Sequence, residues 1–203
     1  MPKVSTKKKN SAGLPYDCCR CSDKITAGNS YYEWSFRYGG TYRQHVSHGS
    51  PKQSQLTQSK LSGAYAAIES AEEAVGTAES VEDLISALEE CASEIDGVAE
   101  EYQESFDAIP ENLQQGGPAQ EMQEKIEALQ SFSEELNSAA GGLEEFDEEE
   151  PEEPDFERYS TTPEFDEAHK AWKTKHDEWE EKQTAHLEEQ RSAAEESLGN
   201  LSI

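Results

Sequence analysis

Cys18 and Cys21 are separated by two residues, and His45 and His48 repeat that spacing further along the chain. Two thiolates and two neutral imidazoles form a tetrahedral zinc set, and the two sulfur charges offset the charge of the ion. Zinc binding of this kind is worth about 10–16 kcal/mol, enough to supply most of the folding energy of a small module. With all four positions filled by protein, the predicted site is structural, with no place for a catalytic water. Cys19 is the spare thiol, pointing outward or standing in for Cys18 if the turn winds differently.

The segment that must hold this quartet is short-period, aromatic and rich in turns. Ala27, Gly28 and Asn29 on one side and Gly39 and Gly40 on the other bracket residues 31–38. That aromatic, imperfectly alternating run predicts a strand leading into a hairpin. Cys18, Arg20 and Cys21, followed by Ile25, Gly28 and Tyr31, resemble the zinc knuckle of treble-clef fingers, including the poly(ADP-ribose) polymerase type. The resemblance covers residues 16–50, with His45 and His48 as the second ligand pair after a 23-residue interval. It departs from the polymerase finger in ending on His rather than Cys and in carrying Cys19. It implies a structural zinc ion and carries over no enzymatic activity.

Around the predicted module, taken as residues 15–50, lie Arg20, Trp34, Arg37, Tyr38, Arg43 and Lys52. Basic residues interleaved with aromatics contact nucleic acid through phosphate pairing and base stacking. The same residues serve a protein partner, or fill the core of a tiny module and keep it soluble. Residues 1–14, with Lys3, Lys7, Lys8 and Lys9, are read as a disordered basic arm, and residues 51–60 as a polar linker.

Helical periodicity begins near Lys60, with Leu61, Ala64, Tyr65, Ile68, Ala71 and Val75 at three- and four-residue steps. After an interruption, Ser80 and Asp83 resemble a capping box. Val81, Leu84, Leu88, Cys91, Ile95, Val98, Tyr102 and Phe106 then form a heptad stripe. Ile109 and Pro110 end it. Gly116, Gly117 and Pro118 restart a helix whose stripe runs through Met122, Ile126, Leu129, Phe132 or Ser133, and Leu136. Residues 61–143 are therefore expected to hold an acidic helical hairpin or a self-associating coiled coil. Ten of the 14 residues from 144 to 157 are acidic, so residues 144–162 are expected to be an extended, mobile linker. A long amphipathic helix is predicted over 163–199, with Phe165, His169, Trp172, His176, Trp179, Gln183 and His186 as a packing seam.

Charge divides the chain: residues 1–60 carry ten Lys/Arg against three Asp/Glu, and residues 61–203 carry seven against 41. A basic head on an acidic body implies two different tasks or partners. The chain lacks a run of about 18 apolar residues, the lysines at 3, 7, 8 and 9 are followed by no apolar stretch and so are not expected to be a secretory signal, and the cysteines are not spaced as a disulfide framework. These features predict a cytoplasmic, reducing setting without membrane contact. No Gly-rich phosphate loop, G-x-S-x-G elbow or H-E-x-x-H helix appears, so neither an enzyme nor a small-molecule substrate is expected. The fold class read from these features is a small α+β zinc-finger module, then a mostly α hairpin or coiled coil and a long C-terminal helix. The function read from them is a non-enzymatic zinc-binding adaptor: residues 1–60 recognise nucleic acid or a protein, and residues 61–199 self-associate or dock. The alternatives are a scaffold or assembly protein with a coiled coil, and an acidic inhibitor that mimics DNA.

Overall fold

The computed structural model describes residues 2, 4–7, 15–158 and 162–200. Two small antiparallel sheets come first, followed by four helices. Strand β2 (Tyr16–Asp17) pairs with β3 (Lys24–Ile25), and the turn between them carries the cysteines. Strands β4 (Tyr31–Ser35) and β5 (Thr41–His45) form the predicted hairpin, with Tyr31 opposite His45 and Trp34 opposite Tyr42.

A third strand joins that hairpin. Ser5–Lys7, expected within a disordered arm, forms β1 and pairs antiparallel with β4. The outer edge of a two-stranded hairpin offers a row of unpaired N–H and C=O groups, which is a template for any nearby extended chain. Lys3, Lys8 and Lys9, also read as part of the arm, lie outside the described residues.

Alternation along β4 and β5 gives the sheet two faces. Tyr31, Glu33, Arg43 and His45 share one; Tyr32, Trp34, Tyr42 and Gln44 share the other. The first looks toward the β2–β3 turn. The second is covered by the linker, where Trp34 Nε1 donates to Gln55 O at 3.2 Å. The linker is itself clamped to the first helix: the Glu69 carboxylate accepts from Ser54 N at 2.9 Å and from Ser54 Oγ at 2.6 Å. Residues 51–60 therefore dock the head on the body through specific polar contacts.

Helix α1 (Leu61–Thr77), α2 (Val81–Asp107) and α3 (Gly117–Ala140) run back and forth beside one another. Ser133 Oγ donates to Ala92 O at 3.2 Å, fixing the antiparallel register of α2 and α3. The capping box forms as predicted, with Asp83 N donating to Ser80 Oγ at 3.1 Å and Ser80 N to Asp83 Oδ2 at 3.0 Å. Pro118 sits in the first turn of α3, where a missing N–H costs nothing. The stripe of α2 is buried within one chain: Leu84, Leu88 and Ile95 are wholly inaccessible, as are Leu129 and Leu136 facing them from α3.

The last helix, α4 (Thr162–Leu198), joins this core along its C-terminal part, through Ala194 and Leu198 with the half-buried Leu187 beside them. There Arg191 Nη2 donates to Ala78 O at 2.7 Å, placing a cation at the C-terminal end of α1. Residues 144–155 have neither helix nor strand. They do not stand away from the helices as a free linker; they lie along the His/Trp seam of α4. Self-repulsion among carboxylates was the basis for expecting mobility, and the donors on α4 offset it. Among the described residues, no helix is long and apolar enough to cross a membrane.

Candidate metal centre

The β2–β3 turn is a knuckle whose backbone N–H groups converge on Cys18. Arg20 N lies 3.5 Å from Cys18 Sγ. Burial pushes the Cys18 thiol up, but hydrogen bonds from the backbones of Arg20, His45 and Cys21 and from the Cys21 side chain outweigh it, lowering the pKa to about 6. Cys21 moves the other way, raised by burial first and then by sharing its site with Cys18. One thiol of the pair is thus poised to be the first thiolate, and the other to hold its proton until a cation arrives.

His45 ends β5 and His48 ends the short 3-10 turn that follows it. Gly49 then takes a positive φ of 77°, which turns the chain out of the site without steric cost. Cys21 Sγ is 3.6 Å from His45 Nδ1 and 3.2 Å from His48 Nε2. The donor atoms of Cys18, Cys21, His45 and His48 all lie within 4.8 Å of one another. A tetrahedron with Zn–S of about 2.3 Å and Zn–N of about 2.0–2.1 Å has edges of roughly 3.3–3.8 Å. The two sulfur–nitrogen separations from Cys21 fall in or just under that span, so in number and chemistry the four donors could hold a metal ion such as zinc. If occupied by zinc, the site would be closed by four protein ligands and would serve to hold the fold.

Cys19 is exposed and lies outside this quartet. Its thiol is raised by burial and by the adjacent Cys18. Its backbone is nonetheless useful, since Cys19 N donates to Arg43 O at 2.9 Å and ties the knuckle to β5. Cys91, deep in the helical core, is pushed up to about 12 by burial and by Glu94 and Glu72.

Gln44, which carries no distinct signal in the sequence, is fully buried and braces the loop that holds His45 and His48. Gln44 Nε2 donates to Gly49 O at 2.8 Å, and Gln44 Oε1 accepts from Gln55 Nε2 at 3.0 Å. Alternation along β5 would have placed it on the inward face beside Trp34, but only once the hairpin register was known.

The residues proposed for partner contact separate into two groups. Trp34 is 2% exposed, stacks on Tyr42 and belongs to the core. Arg43 is held between the Tyr16 ring, 4.0 Å away, and Glu33 Oε2 at 2.8 Å. Arg20, Arg37, Tyr38 and Lys52 are exposed. Arg37 and Tyr38 pair at the tip of the β4–β5 hairpin, the guanidinium 5.2 Å from the ring centroid. His45 and Tyr31 mark the opposite end of that hairpin, so the tip is remote from the metal ligands.

A second group of potential ligands, His176, Asp177 and Glu180, lies on α4. There the half-buried His176 already has Glu150 Oε1 3.2 Å from its Nε2 and Glu180 Oε1 3.9 Å from its Nδ1, so both ring nitrogens face carboxylates. Comparison with protein-family models, curated proteins and solved structures returns no match for this chain.

Proposed function

We propose that this chain is a non-enzymatic adaptor whose head is folded around a structural zinc ion and whose hairpin tip engages a protein partner. The observation that carries the reading is the convergence of Cys18, Cys21, His45 and His48 from two separate hairpins onto one point. Loss of any one would open the set. The resemblance to treble-clef fingers adds the same expectation of a structural ion.

A protein partner is favoured over nucleic acid because two of the six candidate contacts are used internally, Trp34 in the core and Arg43 in its ion pair. The exposed remainder is scattered rather than forming a stripe of cations and stacking rings. Tyr38, 87% exposed beside Arg37, has the composition of an interface anchor. Metal analysis of the purified chain should return one zinc per molecule, and Cys21→Ser should abolish it. In a gel shift across a salt series the full chain should leave DNA and RNA unshifted. A shift at low salt that weakens steeply with added salt would reverse the choice of partner.

A further inference from the structure

Residues 144–155 meet α4 in a regular pattern. Trp172 Nε1 donates to Pro151 O at 2.9 Å, and Trp179 Nε1 donates to Glu148 O at 2.8 Å. Seven residues of helix advance about 10.5 Å, and three residues of extended chain advance about 10 Å. Indoles one heptad apart therefore match carbonyls three residues apart on a chain running antiparallel to the helix. Side chains add selectivity to that main-chain register. Lys182 Nζ holds both carboxylate oxygens of Glu148, at 3.0 and 2.8 Å. Phe146 sets its ring against Trp179 at 5.8 Å and His186 at 5.7 Å.

These contacts have the form of peptide recognition: donors reading main-chain carbonyls, one aromatic side chain set against two rings, and one carboxylate clamp. The two buried anchors of α4, Ala194 and Leu198, lie near its C-terminal end, and the half-buried Leu187 that packs on the same core also lies beyond Trp172 and Trp179. We propose that the Trp172/Trp179 face of α4 is a binding site for an extended acidic peptide of a partner protein, occupied in cis by residues 144–155. The site is independent of the metal centre and goes beyond the adaptor reading of the head. Tethering at both ends keeps the cis segment at an effective concentration of about millimolar, so it acts as a built-in competitor.

The test compares the full chain with a variant in which a Gly/Ser segment of equal length replaces residues 144–155. Both are titrated with a fluorescent peptide of the sequence of residues 144–155, read by anisotropy. The replaced chain should bind, and the natural chain should bind at least about tenfold more weakly. Trp172→Phe combined with Trp179→Phe, in a replaced chain of unchanged helical signal, should remove binding. Failure of a fully helical replaced chain to bind would overturn the proposal, as would equal binding of polyglutamate of the same length. Where the replacement lowers the helical signal, Phe146→Ala with Glu148→Gln decides, because every backbone carbonyl is kept. That variant must bind the peptide more tightly than the natural chain, or the proposal falls.

Discussion

Cys18 and Cys21 differ in which gives up its proton first, and that difference is measurable. With Cys18 lowered to about 6 and Cys21 raised, at pH 7.5 the first is a thiolate and the second a thiol. Zinc uptake at that pH should release about one thiol proton per ion, read with an indicator dye in weak buffer; release of two would show that Cys18 is not ionised beforehand. The sign for the fold follows from the lowered value. The contribution of Cys18 is complete above its ordinary thiol range and is lost as pH falls through about 6. Accessibility separates the remaining thiols. Alkylation of the zinc-loaded chain at mildly alkaline pH should modify Cys19 alone, the exposed cysteine. Chelation should add Cys18 and Cys21, and Cys91, 2% exposed and pushed up to about 12, should stay unmodified until the bundle unfolds. Intact mass distinguishes these states. Zinc retained by Cys19→Ser and lost by Cys21→Ser would fix the ligand set.

At the scale of elements, α2 is the best anchored piece of the molecule. Its start is fixed by the Ser80–Asp83 box, and its inward face by Leu84, Leu88 and Ile95. Ser80→Ala should cost about 1 kcal/mol and Leu88→Ala about 2–5 kcal/mol, both measured by urea unfolding followed at 222 nm. An equal effect of the two would mean that the Leu88 site is not a packed core. Hydrogen bonds from Ser80 and the Glu79 backbone hold Asp83 below the usual carboxylate range. Its share of the cap is therefore present above that range and lost as pH falls through the lowered value. Helix α2 and the β4–β5 hairpin were readable in the sequence because their signals are local: a cap, a heptad, a pair of glycines. Trp34 was not, because a strand with Tyr31 facing the knuckle and Trp34 facing the linker buries aromatics on both sides. The course of residues 144–155 was also hidden. Composition records their repulsion, while the donors that oppose it lie 21 to 34 residues later, on Trp172, Trp179 and Lys182.

The whole molecule has two apolar cores of unequal size. One joins the four helices; the other gathers Cys18, Ile25 and Tyr31, with Tyr16 and Cys21 beside them, while Trp34 is buried on the other face of the sheet against Tyr42 and the linker. A core of that size supplies little of the free energy needed to order the head, and on the function proposed above an ion held by Cys18, Cys21, His45 and His48 would supply the difference. The two units touch through Trp34 and Gln55 and through Ser54 and Glu69. Those contacts dock a folded head but do not bury enough to fold one. Removing zinc with a chelator at neutral pH should therefore disorder the head while α1 to α4 persist. Far-UV ellipticity at 222 nm should hold, and the indole N–H resonance of Trp34 should collapse toward its random-coil position. The indole signals of Trp172 and Trp179, held by Pro151 and Glu148, should stay where they are. Helical signal lost in step with the ion would instead make head and bundle one cooperative unit, with Ser54–Glu69 as the coupling between them. Glu69→Gln would then separate the two transitions, because it weakens that clamp and leaves the four metal ligands in place.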